Sequence, residues 1–219
     1  MQNNQTWSLE GQDKILDILF RKIKKGVYVD VGCNHAVKQN NTYLLYKKGW
    51  RGIGIDGSNK FKNSWKTFRK KDLFLCEVLS NKRNKNIFYK FSDDTSSSID
   101  LKTVKRYKRR LGQPLSKKNV YTKKLEEILI QKKIPKNFDL LCIDVEGHDL
   151  QVLKGLNLNL FKPKVIMIEI RFLNLNKPFK NKIFLFLRKH KYSLISKTPY
   201  DSIFVKKNES LGWLPKELY

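Results

Sequence analysis

No stretch of this chain approaches the roughly 18 consecutive apolar residues that a membrane span requires. A run such as Phe184-Leu185-Phe186-Leu187 is short and closed in by Lys182 and Arg188. The opening from Met1 to Lys14 is polar and has no apolar core of the kind a secretory signal carries. Cysteine is scarce: Cys33, Cys76 and Cys142 are scattered, with no C-x-x-C pair and no histidine at metal-ligand spacing. That pattern excludes a disulfide framework and a finger-type zinc site. It leads us to expect reduced thiols in a cytoplasmic protein. Internal repeats and low-complexity linkers are also absent.

Negative charge is in short supply too. Twenty acidic residues face 46 lysines and arginines, for a formal net charge of +26. No acidic residue occurs between Asp100 and Glu126. Such a surface attracts polyanions: nucleic acid, an anionic membrane, or a phosphorylated or acidic substrate. A chain rich in Lys, Asn, Ile and Phe is also what AT-rich coding produces, so charge hints at a partner without naming a reaction.

What is present is enough for one domain. The 219 residues, 40% of them apolar, can bury a single good core. We expect one unit over 1–219: an N-terminal helical segment (1–26), a core (27–206) and a tail (207–219). Helical periodicity runs over 12–24, 42–48 with Asn41 as N-cap, 60–69, 101–111, 125–132, 149–154 and 178–190, the last with Pro178 in its first turn. Compact apolar strands cover 27–31, 51–56, 73–78, 138–143 and 165–170, with a short one at 87–91. Segments 192–195 and 202–206 read as an antiparallel pair. Strands alternating with helices predict a doubly wound, mostly parallel sheet. In such sheets ligands sit beyond the carboxyl ends of the strands.

The chemistry-bearing residues fall at those ends. Asp30-Val31-Gly32-Cys33-Asn34-His35 follows the first strand, and its single glycine gives no pyrophosphate clamp. Asp56 ends the second strand, before Gly57 and Ser58, where a carboxylate can accept both ribose hydroxyls of an adenosine. Asp144-Val145-Glu146-Gly147-His148-Asp149 crowds the exit of the 138–143 strand. Asp149 suits a helix N-cap. Asp144 directly follows an apolar strand and invites a site role, as do Glu146 and His148. Glu169 sits in an apolar strand, so it either faces the cleft or pairs with a base. On 101–111, Lys102, Lys105, Arg106 and Arg109 share a face that is either solvated or anion-contacting.

At these residues the sequence resembles the FkbM family of S-adenosylmethionine-dependent methyltransferases. The resemblance rests on Glu10-Gly11-Gln12-Asp13, on Val29 to Gly32 with Asn41-Thr42 and Gly49-Trp50-Arg51-Gly52, on Ile55-Asp56, and on Ile143 to Gly147 with Val152-Leu153-Lys154-Gly155 and Ile168-Glu169-Ile170. It spans roughly residues 8 to 170. Cys33 stands where the family is usually alanine, and Ala36 and Gly57 replace prolines common there.

The resemblance implies a Rossmann-like class I fold with a seven-stranded sheet and a C-terminal antiparallel hairpin. It implies methyl transfer from S-adenosylmethionine, usually to a hydroxyl. Asp30, Gly32 and Asn34 would line the methionine side of the cofactor, with Gln12 near the same pocket. Asp56, with Ser58 beside it, would hold the ribose. A hydroxyl needs a proton acceptor, for which Asp144, Glu146 and His148 are the candidates. A divalent metal held by Asp144 would be another route.

The expected acceptor is a sugar hydroxyl of a surface glycan or its nucleotide- or lipid-linked precursor. The basic face would meet its phosphates or the inner face of an anionic membrane. The alternatives are an RNA or other nucleic-acid methyltransferase, and a basic polyanion-binding module without catalysis. Asp144-Val145-Glu146-Gly147 lacks the two prolines and aromatic usual in base amino methyltransferases. Trp213 and Leu214 are candidates for dimer or membrane contact, or for packing on the sheet.

Overall fold

The structure is a computed structural model that describes residues 5–93, 95–209 and 211. Trp213 and Leu214 lie outside the described residues.

Seven strands form the main sheet: β1 (Val27–Val31), β2 (Arg51–Asp56), β3 (Leu73–Cys76), β7 (Leu140–Ile143), β8 (Val165–Glu169), β9 (Tyr192–Lys197) and β10 (Asp201–Lys206). Their order is β3-β2-β1-β7-β8-β10-β9. The first five are parallel, and β10 inserts antiparallel between β8 and β9. This is the doubly wound sheet with a terminal antiparallel hairpin that the sequence predicts.

Alternation along each strand feeds two cores. Val29, Val31, Leu141, Ile143, Ile166 and Ile168 pack against α5 (Leu125–Gln131), α6 (Asp149–Lys154) and α7 (Lys182–Lys189). Tyr28, Leu140, Cys142, Val165 and Met167 face the other way, onto α1 (Gln12–Leu19) and α2 (Tyr43–Lys47). A period of two is what lets one strand serve both layers.

Several boundaries differ from the sequence reading. The first helix ends at Leu19, five residues before Lys24. Asn41 does not cap α2: Thr42 is the N-cap, and it is the Asn40 side chain that accepts from the Thr42 N–H, at 3.0 Å. Pro178 opens a separate 3-10 turn, Pro178–Lys180. The helix after it starts anew because Asn181 is extended and its Oδ1 accepts from Ile183 and Phe184 N–H.

A second, three-stranded antiparallel sheet was anticipated in one strand of three. It consists of β5 (Ser97–Ser98), β4 (Lys85–Lys90) and β6 (Ser116–Tyr121), in that order. With α4 (Leu101–Leu111) it stands over the carboxyl edge of the main sheet. Phe88 of β4 meets Gly57, where an added Cβ would lie 2.7 Å from its ring. Thr103 of α4 meets Gly147 in the same way, at 2.3 Å. The remaining helix, α3 (Lys62–Phe68), buries Trp65 beside Cys33 and Ala36.

Candidate active site

Beyond the carboxyl ends of β1, β2, β7 and β8 lies a cleft of about 280 Å³. It is floored by the main sheet and roofed by the small sheet and α4. Among the described residues eight acidic side chains line it: Asp30, Asp56, Glu77, Asp93, Asp144, Glu146, Glu169 and Asp201. Arg110, Arg171 and His148 are the basic side chains among the described residues that line it. In a molecule of net charge +26 this acidic hollow selects for a cationic guest.

Gly32 begins the cradle. Its φ is +80°, and an added Cβ would lie 1.6 Å from the carbonyl oxygen of Asp144. Only glycine lets the loops after β1 and β7 approach so closely. Asn34, also left-handed, donates its backbone N–H to Asp56 Oδ2 at 3.0 Å. Ser58 N–H donates to Asp56 Oδ1 at 2.7 Å. Each Asp56 oxygen therefore accepts one backbone bond and keeps a lone pair for a further donor such as a hydroxyl. Burial pushes both Asp56 and Asp30 up to about 6.

Asp30 is 4% exposed and accepts from Thr42 Oγ1 at 2.7 Å. Beneath it lies Arg69, fully buried and missed by sequence reasoning. Its guanidinium donates to Asp72, Asn40, Tyr28 and Thr42, and stacks 4.2 Å from the Trp65 ring. Asn40 in turn donates to the carbonyls of Cys33 and His35. The loop under the cleft is thus pinned from below by one cation. Gln12 also lines the cleft, and its Nε2 donates to Asp201 Oδ2 at 2.6 Å. Ser58 does not line it: its Oγ faces Lys60 N–H at the start of a 3-10 turn.

The exit of β7 is the densest part. Asp149 accepts from Val145 and Gly147 N–H at 2.9 and 3.0 Å, which folds the loop back on itself. Glu146 is held in the left-handed region at φ 55° while Ser98 Oγ donates to its carbonyl. A non-glycine residue is kept there only by such surrounding contacts. The Glu146 carboxylate is engaged by the Tyr107 hydroxyl and by Arg171, the latter at 2.7 Å. Arg171 also pairs with Glu169 at 2.5 Å, so Glu169 both lines the cleft and pairs with a base. His148 lies 2.9 Å from Ser80 Oγ, and burial lowers its pKa.

Asp144 differs from its neighbours. Its Oδ1 is buried without a hydrogen-bond partner, as is Asp201 Oδ1. Burial, followed by the carboxylates of Glu169, Glu146, Asp201 and Asp149, holds the Asp144 carboxyl well above the usual range. Asp144, Asp149 and Glu169 each bring an oxygen within 4.8 Å of the others. Asp149 accepts from backbone N–H groups through both oxygens, and Glu169 accepts from Arg171.

The sequence matches the family profile described as Methyltransferase FkbM domain over residues 30–194. The chain belongs to the FkbM methyltransferase family. It is an S-adenosylmethionine-dependent methyltransferase. Among solved structures, a TehB-like SAM-dependent methyltransferase from Corynebacterium glutamicum is similar, with 11% identity, 91% of this chain and 89% of that one covered, and a TM-score of 0.44. A precorrin-6y C5,15-methyltransferase from Geobacter metallireducens is similar at 12% identity, with 89% and 87% covered and a TM-score of 0.43. No curated protein matches the sequence.

The cleft of this FkbM methyltransferase fits its cofactor chemically. S-adenosylmethionine is cationic at sulfur and at its ammonium, and two buried carboxylate oxygens, on Asp144 and Asp201, lack partners. Asp201, Arg171, Tyr107 and Phe88 line the cleft without having been picked out from sequence as site residues. Asp201 had one legible signal, as an acid opening an apolar strand, and the fold sets it opposite Glu169. Among the described residues no helix is long and apolar enough to cross a membrane.

Proposed function

We propose that this chain methylates a hydroxyl oxygen, the acceptor being a sugar of a surface glycan or of its precursor, with Asp144 receiving the proton. The observation that carries the reading is the unpartnered, buried Asp144 Oδ1 at the exit of β7. When bound, S-adenosylmethionine supplies a methyl carbon on a sulfonium, an electrophile that demands a hydroxyl losing its proton.

Asp56 would accept the ribose hydroxyls. Asp30, Gly32 and Asn34 would form the wall beside the methionine part, with the Gln12–Asp201 pair at its far end. Asp144 has a free lone pair and a raised affinity for protons, which suits proton acceptance. Its ionised form is favoured beside a cation. Glu146 is less suited because Arg171 and Tyr107 already occupy it, and His148 because Ser80 and burial hold it. The two act instead as walls of the acceptor side. Cytoplasmic reducing conditions agree with three unpaired thiols, two of them buried.

The test is transfer of labelled methyl from S-adenosylmethionine to a panel of lipid- and nucleotide-linked sugars, free glycans and RNA. The reading expects an alkali-stable methyl ether on a sugar hydroxyl. Label found only in RNA, or in none of them, would contradict it.

A further inference from the structure

The segment leaving β8 runs from the cleft straight to the surface. Arg171 lines the cleft, and the next residue, Phe172, is 88% exposed. Leu175 and Phe179 follow at 59% and 62%. The loop that carries them is anchored. Leu173 between them is buried in the main core, and Phe179 packs edge-on against Phe184 at 5.3 Å. Turns close the backbone: Lys177 N–H donates to the Asn174 carbonyl, Asn176 N–H to Asn174 Oδ1, and Asn181 N–H to the Pro178 carbonyl. Lys177, Lys180 and Lys182 are exposed among and after the apolar residues.

An ordered loop that shows three large apolar side chains to water calls for a cover. Lysine is depleted from the core of protein–protein interfaces. Nucleic acid offers phosphates but no apolar layer for a leucine. An anionic bilayer surface offers both layers, acyl chains for Phe and Leu and headgroups for lysine. The net charge of +26, with much of the acid withdrawn into the cleft, extends the match over the rest of the surface.

We propose that residues 171–182 form a membrane-docking lip that seats on an anionic lipid surface and turns the mouth of the cleft toward it. Docking is independent of which hydroxyl is methylated, because vesicle binding is read without turnover.

The experiment is co-sedimentation of the full chain with phosphatidylcholine vesicles, with and without phosphatidylglycerol, at physiological ionic strength. The lip predicts binding to the anionic vesicles. It predicts about a tenfold loss in the Phe172→Ser/Leu175→Ser variant and a similar loss in Lys177→Gln/Lys180→Gln. Phe172→Trp keeps binding and adds a vesicle-dependent blue-shifted emission to that of the four native tryptophans, and far-UV circular dichroism of each variant matching the wild type separates lost docking from lost folding. Three results overturn the proposal. One is a wild type that ignores anionic vesicles. Another is undiminished binding by the Phe172→Ser/Leu175→Ser variant, which assigns binding to the remaining basic surface. The third is a wild-type dimer that Phe172→Ser dissociates, which makes a second copy the cover.

Discussion

Asp30 and Asp56 show what single residues contribute. Both are carboxyls that burial raises from an ordinary value of 3.8 to about 6. A folded-state pKa above the unfolded one adds stability that is present at low pH and lost as pH rises through about 6. Ligand binding runs the other way, because a cation or a hydroxyl donor prefers the ionised carboxylate. S-adenosylmethionine affinity, followed by calorimetry, therefore falls as pH drops through about 6, by up to tenfold per unit for each proton taken up. The thermal midpoint of the unliganded protein moves oppositely and is higher at the acidic end from these two groups. An affinity flat between about pH 5 and 8 would contradict this account of the pair.

At this scale the site was partly legible. Asp30, Gly32, Asn34, Asp56 and Asp144 could be picked out because each sits at or just beyond the carboxyl end of an apolar strand, where the sheet delivers residues to one edge. Arg69 could not. It sits at the end of a short helix in a lysine-rich stretch, and only the folded chain shows it buried against Asp72. Ser58 illustrates the converse: its position beside Asp56 is right, but its side chain serves the turn.

Among the elements, α4 and β6 mark the two extremes. The boundaries of α4 were legible to the residue. Its apolar seam recurs at helical spacing, and Asp100 caps it by accepting from Thr103 N–H at 2.8 Å. Asp100→Ala should cost about 1 kcal/mol of stability in chemical denaturation. Because α4 roofs the Glu146–Gly147 loop, the same change should weaken methyl transfer more than cofactor binding. No change in the denaturation midpoint would contradict the cap. By contrast, β6 was invisible in sequence. Ser116-Lys117-Lys118-Asn119-Val120-Tyr121 has no apolar alternation, because this edge strand is almost wholly exposed and is defined by its pairing with β4. Periodicity reports burial, so an unburied strand leaves no trace.

Taken whole, the molecule separates its charges. Bases cover the outside, and carboxylates gather where the parallel strands end. The fold class was legible because alternating strands and helices admit few arrangements, and the order β3-β2-β1-β7-β8-β10-β9 is one of them. The small roofing sheet was legible only through β4, one of its three strands. Separation of charge makes the cleft the acidic part of a basic molecule.

The most direct test compares cofactor binding with turnover in Asp144→Asn. Asparagine keeps the size and removes the proton acceptor. The account predicts that S-adenosylmethionine still binds, more weakly for the loss of one carboxylate beside its cation, and that methyl transfer at saturating cofactor falls by at least about 10²-fold. Transfer at the wild-type rate with binding intact would show that another group takes the proton.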